Sequence, residues 1–65
     1  MITVNGKPLD ACKGMTLLDL LEARGYRLDV IAVEYNGVIL KKDAYSATVL
    51  QDGDKIEVVS FVGGG

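Results

Sequence analysis

The sequence predicts an α+β domain in which one helix covers one face of a single sheet. Three observations carry that reading. Residues 16–25 have helical spacing with a start and a stop signal, two Asn-Gly pairs each lie between extended runs, and 65 residues leave room for one core. A domain of this length buries only about 60% of its unfolded surface. Two layers are then the simplest packing.

Ile2 and Val4 alternate with Thr3 and Asn5, the period of a strand. Asn5-Gly6 follows, a strong hairpin signal, because a type I′ turn needs positive φ at both central residues. Lys7 to Ala11 is the expected return strand. Pro8 has no N–H and confines that strand to a sheet edge, which frees the first strand to be interior. Thr16 is the expected helix N-cap, with Asp19 placed to complete a capping box. Leu17, Leu20 and Leu21 form one apolar face, and Gly25 ends the helix. Val30 to Tyr35 is an expected strand, and Asn36-Gly37 turns it into Val38-Ile39-Leu40. Lys41 to Ser46 is polar and reads as a loop or short helical turn. Val49 and Leu50 supply an apolar anchor, and Asp52-Gly53-Asp54 a turn. Lys55 to Phe61 is the last strand, with Ile56 and Val58 on one face and Lys55, Glu57, Val59 and Phe61 on the other. The order is β-β-α-β-β-β.

Composition removes several chemistries. Hydrophobic residues are 49% and charged residues 25%, a globular balance. There is no histidine, so no imidazole base and no His-ligated metal. Cys12, the one cysteine, can form neither an internal disulfide nor a Cys-rich metal site, which fits a reducing compartment. The net charge is −2, and of the basic residues only Lys41 and Lys42 are adjacent, which argues against nucleic acid. No run reaches the ~20 apolar residues of a membrane span, and the start lacks the pattern of a signal peptide. The expected location is the cytoplasm.

The chemistry is expected at the other end. Three of the eight glycines are Gly63, Gly64 and Gly65. At an average usage of roughly 7%, three together at one fixed place arise by chance about 3 times in 10,000. The plain alternative, a frayed terminus, does not explain why the run begins directly after a core strand. We expect residues 1–62 to form the domain and 63–65 a flexible tail, thin enough to thread a narrow channel. Val62 to Gly65 can reach about 13–14 Å when extended. The tip carries an α-carboxylate, ionised at neutral pH. Such a carboxylate becomes an acyl donor once it attacks the α-phosphate of ATP, so the tail reads as the substrate of a partner enzyme. Ordering three glycines takes about 3–6 kcal/mol, and the folded body must offset it with contacts of its own. Val59, Phe61 and Val62, beside the tail, are the candidate docking surface. The alternative is that Val59 and Phe61 fill a second packed face.

Asn36-Gly37, then Thr48-x-Leu50-x-Asp52-Gly53-Asp54-x-Ile56-Glu57-Val58-Val59-x-Phe61-Val62-Gly63-Gly64-Gly65, resembles the thiamine-biosynthesis sulfur carriers, the ThiS family. Val4-Asn5-Gly6 and Thr16-Leu17-x-x-Leu20-Leu21 match as well. The resemblance implies a β-grasp fold, the ubiquitin-like mixed sheet around one helix. It implies that Gly65 is adenylated by an E1-like adenylyltransferase of the ThiF type using ATP and magnesium, then converted to a thiocarboxylate with sulfur from a donor protein. The sulfur then passes to a thiazole synthase of the ThiG type. Gly63 and Gly64 map onto the positions that enter the partners' active sites. The carrier itself catalyses nothing, binds no cofactor or metal, and is expected to be a monomer alone. A proline near Leu40, a serine near Asp43 and a tryptophan near Tyr45, common in that family, are absent here.

Two related readings use the same kind of tail. The small subunit of molybdopterin synthase usually runs longer and ends in Gly-Gly. A ubiquitin-like modifier joins its terminal glycine to a lysine of a target. An interaction module with an incidental tail is a fourth class, and an independent enzyme has no nucleophile–base pair to work with. Cys12 reads as a small apolar side chain in preference to a persulfide site. Asp52 and Asp54 read as a solvated turn in preference to a metal site, Lys41-Lys42 as a solvated loop, and Tyr26, Tyr35 and Tyr45 as partial core.

Overall fold

The structure, a computed structural model, describes residues 1–10 and 14–61. Strands β1 (Ile2–Val4) and β2 (Lys7–Leu9) form an antiparallel hairpin. Strands β3 (Ile31–Tyr35) and β4 (Val38–Leu40) form a second. Both turns have the expected left-handed pair of residues, with φ of 50° and 81° at Asn5-Gly6 and 51° and 85° at Asn36-Gly37. That geometry matches the right-handed twist of the strands it joins.

The last strand, β5 (Lys55–Ser60), enters between the two hairpins. The sheet order is β2-β1-β5-β3-β4, with β5 parallel to β1 and antiparallel to β3. A mixed sheet around one helix is what the β-grasp expectation requires. Strand β2 is an edge, as Pro8 demands. In a two-residue hairpin the flanking pair, Val4 and Lys7, exchanges both hydrogen bonds, and the next pair, Thr3 and Pro8, does not. Pro8 therefore stands where a backbone donor would point away from the sheet, so its missing N–H costs nothing.

Helix α1 (Leu17–Ala23) starts at a complete capping box. The Thr16 hydroxyl accepts from the Asp19 N–H at 3.1 Å, and the Asp19 carboxylate accepts from the Thr16 N–H at 3.1 Å. At the other end Gly25 (φ 77°) donates to the Glu22 carbonyl at 3.1 Å, and the next N–H, of Tyr26, donates to Leu21 at 3.0 Å. This paired closure satisfies two carbonyls that the helix would leave open, and only glycine takes the left-handed position cheaply. Leu17, Leu20 and Leu21 are buried against Ile2 and Val4 of β1, Ile31 and Val33 of β3, and Ile56 and Val58 of β5. Leu50 closes the core, and Val49 is exposed. The helix start is tied down by Leu17 N–H to Thr48 at 2.8 Å and by Leu50 N–H to Met15 at 2.9 Å.

Three boundaries or placements differ from expectation. Strand β3 begins at Ile31, because residues 28–30 form a 3₁₀ turn in which Val30 N–H donates back to Arg27 at 3.2 Å. The pairing with β5 still reaches this point, since Phe61 N–H donates to the Val30 carbonyl at 2.9 Å although the strand itself ends at Ser60. The polar stretch after β4 takes the second of its two expected forms, a short helical segment of 3₁₀ type over Lys42–Ala47. It carries Tyr45 into the core with 1% of its surface exposed, whereas Tyr26 and Tyr35 remain half-buried. Tyr45 is thus a full core residue, because a short helical segment can turn one side chain inward while its neighbours stay wet. The expected end of β2 at Ala11, and Cys12, lie outside the described residues.

Removing the Tyr45 ring leaves a cavity that a core this small cannot collapse around. Tyr45→Ala is expected to lose about 3–5 kcal/mol, the whole stability of a domain of this size. Urea titration followed by circular dichroism should then show no cooperative transition. Tyr45→Phe keeps the ring and should retain a transition, losing less than about 1.5 kcal/mol.

Candidate functional site

The alternation of β5 places Ile56 and Val58 in the core and Lys55, Glu57 and Val59 on the sheet face away from the helix. Register fixes their neighbours. Ala32 lies across from Val59, Glu34 lies between Glu57 on one side and Ile39 on the other. Val59 is 56% exposed, Phe61 65% and Ile39 71%. No second core covers this face among the described residues, so Val59 and Phe61 do not fill one. They form an apolar strip at the end of β5 nearest Val62. Next to it Glu34 and Glu57 face each other as like charges, a destabilising cross-strand pair. The Lys55 ammonium, 3.7 Å from the Glu57 carboxylate, relieves part of that at the surface. Val62, Gly63, Gly64 and Gly65 lie outside the described residues.

The strand that carries this strip is clamped by both Asn-Gly turns. Strand β1 ends at Val4, so beyond Ile56 the edge of β5 that faces β1 has no strand beside it. The Asn5 side-chain carbonyl takes over there and accepts the Val58 N–H at 2.7 Å. At the other end the Asn36 side-chain carbonyl accepts the Lys55 N–H at 2.7 Å. The amide nitrogen of Asn36 donates to Asp54 at 3.0 Å. The same carboxylate accepts the Gln51 N–H at 2.7 Å and the Tyr35 hydroxyl. One carboxylate thus joins the 51–54 turn, the second Asn-Gly turn and the end of β3 at the point where β5 begins.

A model of the ThiS family matches residues 2–65. The chain belongs to the ThiS family. The sulfur carrier protein ThiS of Bacillus subtilis is 39% identical to it, the match covering all of both chains. A thiazole synthase of Magnetococcus marinus is 45% identical over 98% of this chain, but the chain spans only 20% of that protein's length. The crystal structure of the thiamine biosynthesis protein ThiS of Geobacter metallireducens superposes with a TM-score of 0.79 at 37% identity, covering 98% of this chain and 97% of the other. The fold is the β-grasp of the ThiS family.

One feature of this ThiS-family chain departs from the sequence expectation. Asp52 is exposed, as expected of a solvated turn, but Asp54 is only 6% exposed. Its partners lie 18 and 19 residues upstream, on another hairpin, so no local pattern around Asp-Gly-Asp announces them. Burial pushes the Asp54 carboxyl up, but the Tyr35 hydroxyl, the Asn36 amide and the Gln51 N–H outweigh it and hold the group below the usual aspartate value. The Tyr35 phenol, desolvated and donating to Asp54, is pushed up to about 12. Lys41 and Lys42 are exposed, as expected. Among the described residues no three His, Cys, Asp or Glu side chains group as metal ligands, and no helix is long and apolar enough to cross a membrane.

The sign of the pH dependence follows from the Asp54 shift. A carboxylate held below its unfolded value stabilises the fold above that value, near 3.8, and loses the contribution as pH falls through the folded one. Asp54→Asn keeps the shape but removes the titration. In urea titrations run at successive pH values, the wild type should lose stability more steeply below pH about 4 than the variant. The variant should be the less stable of the two at neutral pH, where the charged acceptor matters most. Parallel curves of equal height would show that Asp54 contributes nothing through its charge.

Proposed function

We propose that this chain is a sulfur carrier for thiazole formation in thiamine biosynthesis, with Gly65 as the carrying residue. One observation carries the reading: the ThiS-family match runs through Gly63, Gly64 and Gly65, directly after a strand whose outer side chains are exposed. The Gly65 carboxylate attacks the α-phosphate of ATP in the site of an E1-like adenylyltransferase, and pyrophosphate leaves. Sulfur delivered by a donor protein at the sulfide level then attacks the acyl carbon, the bond from that carbon to the AMP oxygen breaks, AMP leaves, and a thiocarboxylate remains. ATP and magnesium belong to the partner enzyme. Gly63 and Gly64 supply a thin lead into the partners' sites, and the chain acts as a soluble, cytoplasmic monomer between them. A region resembling this chain makes up a fifth of a protein named thiazole synthase, which supports an enzyme of that type as the acceptor of the sulfur.

The body of the domain has to hold the partner while the tail is ordered, at about 3–6 kcal/mol for three glycines. Val59 and Phe61 are the anchors for that contact, and Val62 is the next apolar residue in the sequence.

Two measurements test this reading. Intact mass is followed after incubation with an E1-like adenylyltransferase, ATP and a sulfur source. The full chain should gain the mass of one oxygen exchanged for sulfur, and a chain lacking Gly65 should not. No gain with an enzyme that loads another carrier would overturn the reading for that enzyme. The second is calorimetric titration against the same enzyme. Phe61→Ala is expected to weaken binding about tenfold or more, as truncated aromatic anchors do. Val59→Ser should act in the same direction. Both substitutions are at exposed positions and should leave the unfolding free energy from urea titration within about 0.5 kcal/mol of wild type.

A further inference from the structure

The two Asn-Gly turns share a backbone geometry but not a side-chain restraint. Asparagine is among the thermolabile residues, and glycine after it has no Cβ to obstruct attack by its own backbone nitrogen. In that attack the glycine nitrogen bonds to the asparagine Cγ, the Cγ–Nδ2 bond breaks, and ammonia leaves with the proton that the glycine N–H gives up. The cyclic imide then takes up one water and opens to aspartate or to isoaspartate. Water is the only co-reactant.

For the attack, the side-chain amide must swing over its own backbone and let go of its partners. At Asn36 both ends are held. The Nδ2 group donates to the Asp54 carboxylate at 3.0 Å, and Oδ1 accepts the Lys55 N–H at 2.7 Å. Release breaks a charge-assisted bond and leaves the buried Asp54 short of a donor. At Asn5 only Oδ1 is held, by the Val58 N–H at 2.7 Å. Its Nδ2, the leaving group, has no hydrogen-bond partner among the described residues, and the residue is exposed.

We propose that Asn5 is a deamidation site of the folded protein, reacting through Gly6, and that Asn36 in the same dipeptide is held inert by Asp54 and Lys55. The two products differ in effect. Aspartate at position 5 still offers an oxygen to the Val58 N–H. Isoaspartate adds a carbon to the backbone of the turn and draws that oxygen away from β5, one residue before Val59.

The test is peptide mass mapping of the full chain after timed incubation in mildly alkaline buffer, with a parallel sample in guanidinium chloride. The product peptide differs by the exchange of NH for O. In the folded sample the peptide containing Asn5 should convert about tenfold faster or more than the peptide containing Asn36, since two bonds rather than one protect the latter. In guanidinium chloride the two rates should converge. Asp54→Ala should speed conversion at Asn36 and leave Asn5 unchanged, and the unfolded sample shows whether that variant has simply lost its fold. Equal rates in the folded sample, Asn36 leading, or conversion at Asn5 only in guanidinium chloride would each overturn the proposal.

Discussion

Strand β5 has neighbours on both edges, and every hydrogen-bonding group it presents to the interior needs a partner. That constraint shapes much of the molecule. Strand β3 runs alongside Ile56 to Ser60, but β1 pairs only with Lys55 and Ile56. Where β1 stops, a side chain continues the ladder: Asn5 accepts the Val58 N–H in place of a backbone carbonyl. Where β5 begins, Asn36 accepts the Lys55 N–H in the same way. Each asparagine thus has two duties. Its backbone takes the left-handed position a tight turn requires, and its amide completes the pairing of a strand remote in sequence. Asp54 then fixes the second amide in place and spends three of its acceptor positions on that task.

The division of the sheet into two faces follows from the same strand. One helix can cover one face, and among the described residues no second α-helix is present to cover the other. The outer face is therefore left to solvent with Val59, Phe61 and Ile39 on it. A monomer exposes scattered apolar side chains as a matter of course. These are not scattered, since Val59 and Phe61 stand two residues apart at the end of β5 that leads toward the glycines. Their neighbours Glu34 and Glu57 repel each other in the free protein and Lys55 relieves that only in part, so a basic group on a partner would meet unbalanced negative charge beside the uncovered strip.

Much of this was legible in the sequence because the signals were local. The capping box needs residues three apart, the helix stop needs one glycine, and each hairpin needs an Asn-Gly pair, so Thr16, Asp19, Gly25 and the two turns fell where the residues placed them. Alternation along 55–59 assigned both faces of β5 correctly, and the strand ends at Ser60, one residue short of Phe61. The misses were contacts between distant residues. Nothing near Tyr45 distinguishes a half-buried ring from a fully buried one, because its burial depends on how the 42–47 segment seats against α1. Nothing near Asp54 reveals that Tyr35 and Asn36 reach it. The role of Asn5 beyond its turn was hidden for the same reason, the acceptor and donor being 53 residues apart.

The placement of β5 at the centre also governs the order in which the fold can assemble. A chain that stops short of Lys55 has two hairpins and a helix but no strand to join them, and it presents the interior edges of β1 and β3 to whatever is near. Such intermediates are the ones exposed to misassociation. The contacts that close the sheet span nearly the full sequence, which places their formation late and makes them slow relative to the local hairpins and helix. Folding is consequently a checkpoint on the chain's own completeness. The outer strip is displayed on an ordered surface only after the last strand has been inserted, so a nascent or truncated chain has no folded face to offer a partner.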